Sequence, residues 1–187
     1  MATVTTPIET EPEGLYEIVD GQVVEKEVGS LESRVASLLA KALFRFENID
    51  ELGEIAIENL FVIQEDPRLL RRPDLAFVTF DRWPKNQKMS PTWAWPMIPD
   101  LAVEVISPSD SMRETQRKVQ EYLQAGVRLV WQIVPGESDM NHVAYVYQPP
   151  MKVHVVRVNE DLDGGHVIPG FRVRLGSLFP PIETVVQ

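Results

Sequence analysis

The chain has 187 residues, 44% hydrophobic and 25% charged, which bounds it to one globular domain with enough apolar material for a core. It contains no cysteine, which excludes disulfides, zinc–thiolate centres and cysteine nucleophiles and fits a reducing compartment, so a cytoplasmic location is expected. A formal net charge of −10 speaks against a broad basic face of the kind that grips nucleic acid without help from a cation or a partner.

Residues 1–14 begin polar and acidic, with no apolar stretch of the signal-peptide kind, and read as a frayed tail before a single domain over 15–187. No apolar run reaches the roughly 18 residues of a membrane helix. Residues 16–25 read as a hairpin whose Asp20-Gly21 pair supplies the positive φ of a type I′ turn. Residues 31–46 carry Val35, Leu38, Leu39, Ala42, Leu43 and Phe46 at helical spacing, with Ser30 as N-cap. Residues 54–63 and 72–80 read as strands, the second entered through Pro73. A loop rich in proline follows (Pro84, Pro91, Pro96, Pro99), in which Trp93 and Trp95 are expected to be packing anchors.

Residues 101–106 form an apolar run interrupted by one acid and read as a central strand. Ser111 with Glu114 makes a capping box, predicting a helix to Ala125 that Gly126 stops. Residues 127–134 read as a strand, and 143–148 with 151–158 as a hairpin around Pro149-Pro150. A last segment with Ile168, Phe171, Val173 and Leu175 is expected to close the sheet or cover an edge. Two helices among many strands make the expected class α/β or α+β, with a mixed sheet rather than a doubly wound parallel one.

Two acids stand where acids are costly. Asp74 heads an apolar strand and shares a face with Ala76 and Val78, while Glu104 lies mid-strand and shares one with Ala102 and Ile106. A lone buried carboxylate costs several kcal/mol or rises in pKa until it is neutral. If the two strands are neighbours, the carboxylates converge and call for a cation. With oxygen donors and neither Cys nor clustered His, that cation is Mg²⁺ or Mn²⁺ rather than zinc. Lys118 falls at the border of the apolar arc of its helix, where it can lay its stem on the core and send its ammonium to the sheet. An exposed pair with Glu114, four residues earlier, would explain Lys118 equally well from spacing alone. His142, His154 and His166 have no ligand spacing.

Three blocks in order resemble a known family: Arg71-Arg72-Pro73-Asp74-Leu75-Ala76-Phe77-Val78, then 99–109 around Glu104, then 118–127 from Lys118 to Val127. The family is Uma2, of the PD-(D/E)xK restriction-endonuclease-like superfamily, and the resemblance runs from about Tyr16 to Phe179. It implies a mixed sheet flanked by helices in which an antiparallel strand pair carries the acids. It further implies that Asp74 and Glu104 are the acidic half-motifs, and that the backbone carbonyl of Val105 joins them in holding Mg²⁺ or Mn²⁺. The lysine expected two residues after the second acid is replaced by Ile106, and Lys118 on the following helix matches its migrated place. Glu114 and Glu32 are possible accessory acids. The implied activity is metal-dependent hydrolysis of nucleic acid, DNA above all, by a homodimer, with no membrane partner. Two rivals remain at this stage: a catalytically silent binding protein on the same fold, which the acidic charge favours, and a two-carboxylate hydrolase of the glycosidase kind.

Overall fold

A computed structural model describes residues 12–89 and 92–179. Most of the N-terminal tail, and Pro91 of the proline-rich loop, lie outside the described residues. The chain opens with β1 (Tyr16–Val19) and β2 (Gln22–Glu25), an antiparallel hairpin. Asp20 (φ 51°) and Gly21 (φ 74°) both take the left-handed conformation its turn requires. Helix α1 (Ser30–Phe44) follows. Its N-cap is Gly29 in extended backbone, with no side-chain cap, so Ser30 is the first helical residue rather than the cap. A short α2 (Ile49–Leu52) leads into β3 (Gly53–Ile57).

The single strand expected over 54–63 is two strands. β3 ends at Ile57, Glu58 turns the chain in a left-handed conformation (φ 49°), and β4 (Phe61–Gln64) departs to another sheet. β5 (Leu69–Arg71) is a three-residue strand too short for periodicity to reveal. β6 (Leu75–Thr79) begins later than expected, because Pro73 has no N–H to give a ladder, and Asp74 therefore precedes the strand. β7 (Leu101–Val105), α3 (Met112–Ala125) and β8 (Leu129–Val134) come next, then the hairpin β9 (Val143–Gln148) and β10 (Lys152–Arg157). Ser111 Oγ accepts the Glu114 N–H at 3.2 Å, as the capping box predicts. Gly126 closes α3 at φ 101°, with Val127 N–H on Tyr122 O at 2.9 Å and Gly126 N–H on Leu123 O at 3.1 Å.

Six strands form the main sheet in the order β10-β9-β8-β7-β6-β3, all antiparallel except the β7–β8 pair. The class is mixed α+β. Strand alternation gives the sheet two dry faces. Leu75, Phe77, Leu101, Val103 and Trp131 face Val35, Leu39 and Leu43 of α1. Ala76, Val78, Ala102 and Val130 face Val119, Tyr122 and Leu123 of α3, together with Phe61 and Ile63 of the second sheet. That second sheet runs β2-β1-β5-β4. The terminal segment adds no strand to the main sheet but packs over its edge strand β10, where Val156 meets Leu162 and Leu175. β11 (Asp161–Asp163) and β12 (Arg172–Arg174) make their own ribbon, while Ile168, Phe171 and Leu175 complete the α1-side core. Trp95 is buried and stacks on Phe61 at 5.5 Å, and half-buried Trp93 tilts against Tyr16 at 6.0 Å, so both pack as expected.

Candidate active site

β6 and β7 pair with Leu75 opposite Val103 and Ala76 opposite Ala102. Carried one step towards the open end, that register sets Asp74 opposite Glu104. Both acids project from the α3 side of the sheet, the face they share with Ala76 and Ala102. They are 4% and 5% exposed, so their charge is taken almost wholly out of water.

Each carboxylate oxygen has a donor. Val105 N–H donates to Asp74 Oδ2 at 2.5 Å, and Lys26 Nζ donates to Asp74 Oδ1 at 2.7 Å. Tyr122 Oη donates to Glu104 Oε1 at 2.7 Å, and Lys118 Nζ reaches Glu104 Oε2 at 3.4 Å. α3 crosses this end of the sheet so that Lys118 and Tyr122, one helical turn apart, address the same acid. Lys118 does not pair with Glu114. That acid instead meets Arg117 at 2.7 Å, at the cleft mouth. Glu32, in the first turn of α1, folds against Gly29 and lines the same cleft, apart from the Asp74–Glu104 pair.

Four further residues complete the site. Glu17 on β1 bonds Lys118 Nζ at 3.1 Å, Arg71 Nη1 at 2.6 Å and the Arg72 N–H at 3.1 Å. Arg71 is 2% exposed and also bonds Glu121 of α3 at 2.8 Å through Nε. Lys26, just past β2, bonds Glu58 Oε2 at 2.7 Å and the Arg72 carbonyl at 2.8 Å besides Asp74. Sequence reasoning found none of the four. An acid inside the apolar run Tyr16-Glu17-Ile18-Val19, and an arginine after Leu69-Leu70, carry the same signal that singled out Asp74 and Glu104. Lys26 sits in the charged run Glu25-Lys26-Glu27, and Glu58 in a turn, where nothing local marks either.

Burial pushes the Glu104 carboxyl above its ordinary range; Lys118 opposes this, and the neighbouring Asp74 charge adds to it. Burial likewise raises Asp74 by more than Lys26 and the Val105 N–H lower it. Glu17 goes the other way: burial would raise it, but Lys118, Arg71 and the Arg72 N–H hold it below its ordinary value. For Lys118 and Lys26 burial disfavours the ammonium, yet the surrounding carboxylates keep both above the usual lysine value. Tyr122 is pushed far up by burial and by Glu104, so its phenol is a donor at neutral pH.

Asp74, Glu104, Lys118, Lys26, Glu17 and Arg71 line a cleft of about 520 Å³ bounded by the hairpin, β7 and α3. Val105 stands at its floor, and Glu25, Glu27, Asp110 and Arg117 at its mouth. Among the described residues no group of three or more His, Asp or Glu forms a ready-made metal cage, and no helix is long and apolar enough to cross a membrane.

No curated protein matches the chain. A solved structure from Anabaena variabilis ATCC 29413, described as "a putative nuclease belonging to DUF820", superposes with a TM-score of 0.75 at 17% identity, covering 91% of this chain and 92% of that one. At that identity the likeness establishes a shared fold. The model of the Uma2 family, described as "Putative restriction endonuclease", matches residues 5–176. The chain belongs to the Uma2 family.

Proposed function

We propose that the protein is a metal-dependent nuclease that hydrolyses phosphodiester bonds of nucleic acid, DNA first among them. The observation that carries this reading is the convergence of Asp74, Glu104 and Lys118 from three elements onto one cleft. The family description and the description of the Anabaena structure support it.

The donor chemistry fits a hard divalent cation. Two adjacent buried carboxylates repel each other, offer only oxygen, and face a cleft wide enough for water to complete the coordination shell. Asp74, Glu104 and the backbone oxygen of Val105 would hold Mg²⁺ or Mn²⁺. Bound there, the ion would supply charge to the phosphate and lower the pKa of a water. The protein's own groups do the rest. The Val105 N–H and the Tyr122 hydroxyl fix the two carboxylates in orientation. Lys118, held protonated by Glu104 and Glu17, acts as a donor to charge developing on the phosphate rather than as a base. Water adds to phosphorus, one P–O ester bond breaks, and the leaving oxygen takes a proton. The cleft mouth is acidic, so a polyanionic substrate needs the cation for approach as well as for chemistry.

One observation favours a second reading, a binding protein without catalysis: protein donors already engage all four oxygens of Asp74 and Glu104. A cleavage assay on DNA and RNA with Mg²⁺ or Mn²⁺, comparing the wild type with folded Asp74→Ala, Glu104→Ala and Lys118→Ala, separates the two. Metal-dependent cleavage lost in all three supports the nuclease. No cleavage by any protein, on any substrate form, moves the assignment to the binding reading. The proposed homodimer is tested by light scattering on the same preparations.

A further inference from the structure

Lys26 carries the chemistry of a stand-in ion. Its ammonium sits 2.7 Å from Asp74 Oδ1, on the acid pair that the proposed function assigns to a divalent cation. It is also held at 2.7 Å by Glu58 and at 2.8 Å by the Arg72 carbonyl. Only the first of these three acceptors belongs to the proposed metal ligands.

The second resting place is built. Glu58 adopts a left-handed backbone at φ 49°, which a side-chain-bearing residue takes at a cost of about 1 kcal/mol or more. Its N–H bonds the Asp74 carbonyl at 3.3 Å, and its carbonyl accepts Arg72 Nη1 at 2.6 Å. The turn is thereby stapled on both sides and aims the Glu58 carboxylate at Lys26. The Glu58 side chain is 25% exposed against 6% for Asp74, so a lysine leaning on Glu58 stands nearer water.

We propose that Lys26 is a displaceable counter-ion of the acid pair. Its ammonium neutralises Asp74 until a divalent cation takes that carboxylate, and then stays in the cleft on Glu58 and the Arg72 carbonyl. Glu58 is the positioning residue that makes this exchange easy, because it keeps a strong acceptor for Lys26 after Asp74 is given up. Lys26 therefore lowers metal affinity and Glu58 restores it. This inference rests on the metal-dependent reading.

The test is calorimetric titration of the full chain with Mn²⁺, using the wild type, Lys26→Met, Glu58→Gln, the double variant, and Asp74→Ala as blank. Lys26→Met tightens Mn²⁺ binding by about tenfold, because a unit charge a few ångströms away is removed. Glu58→Gln weakens it by about threefold or more while Lys26 is present, and by clearly less in the Lys26→Met background, where only its own charge is lost. The last comparison matters because loss of a nearby negative charge alone would weaken binding equally in both backgrounds. Equal weakening, or no tightening in Lys26→Met, overturns the exchange. If Mn²⁺ then still binds the wild type and fails to bind Asp74→Ala, the metal-dependent reading survives and only this inference falls. If neither the wild type, Lys26→Met nor Glu58→Gln binds Mn²⁺, both fall together.

A second measurement needs no variant. Mn²⁺ raises acetylation of Lys26 by a small amine-reactive reagent, read by mass spectrometry, by about threefold or more as the ammonium moves towards water. Unchanged labelling at saturating Mn²⁺ overturns the proposal even where Lys26→Met fails to fold.

Discussion

Removing one oxygen atom from Tyr122 tests whether Glu104 is a buried carboxylate held by the helix. Tyr122 is fully buried, and its hydroxyl is the donor to Glu104 Oε1 at 2.7 Å. Tyr122→Phe keeps the ring and its packing and leaves that oxygen without a donor. A hydrogen bond to a charged group contributes about 1.5–3 kcal/mol, so a loss of about 2 kcal/mol is expected. For a chain of this size that lowers Tm by about 4–8 °C. Tyr147→Phe is the control, since Tyr147 donates to the neutral Gln132 Oε1 at 3.1 Å and should lose only about 1 kcal/mol. The sign of the pH effect follows from the same bond. The hydroxyl favours the charged carboxylate, so its loss pushes Glu104 still further above its ordinary range. The deficit of Tyr122→Phe relative to wild type is then largest at the alkaline end of the range and shrinks on acidification, as the carboxyl becomes neutral. The assay is thermal or urea unfolding of the three proteins between about pH 5 and 8. A Tyr122→Phe deficit no larger than that of Tyr147→Phe, and independent of pH, would refute the reasoning.

Three other outcomes are expected. Asp100 is fully buried and accepts from the Thr79 N–H and hydroxyl, from Arg128 at 2.7 Å and from Arg82 at 2.8 Å, so Asp100→Ala should cost about 3–5 kcal/mol in urea unfolding. It stands at the opposite end of β7 from Glu104, so a preparation that still folds should keep its Mn²⁺ affinity. Glu17 is held below its ordinary value, so it contributes stability above the ordinary carboxylate range and loses it as pH falls through its folded value. Glu17→Gln should therefore flatten the acid limb of a stability–pH curve, while leaving Arg71 short of one ionic partner at all pH. Asp74 and Glu104 lie above their ordinary values, so protons compete with a cation there. Mn²⁺ affinity measured by calorimetry should fall on acidification before the ordinary carboxylate range is reached.

Much of the fold is legible because its signals are local. The Asp20-Gly21 turn, the Ser111–Glu114 capping box and the Gly126 stop each rest on a few adjacent residues, and each stands where the pattern puts it. The break at Glu58 is not legible, since a non-glycine residue in the left-handed region is imposed by its partners Arg72 and Asp74, distant in sequence. The site divides in the same way. Acids on apolar strands betray themselves by their cost, which marks Asp74 and Glu104. Lys118 could be assigned to Glu114 or to the sheet from spacing alone, and only the packing of α3 decides it. Lys26 and Glu58 are invisible until the hairpin is folded against the sheet, because surface-type residues are buried there by tertiary contact.

The β7–α3–β8 unit has a consequence for the order of assembly. Glu104, Tyr122 and Lys118 fall within one crossover of the chain, so their contacts close a short loop. Lys26 is 48 residues from Asp74 and belongs with the separate hairpin. Short loops close before long ones. Asp74 comes beside Glu104 when β6 pairs antiparallel with β7, a shorter closure than that of the hairpin, so the negative pair forms while its counter-charge is still diffusing, and docking of the hairpin is the event that neutralises it. The hairpin is in that sense the last-fitted electrode of the site, and salt, which screens the pull of the waiting acids on Lys26, should slow the final step of folding more than the first.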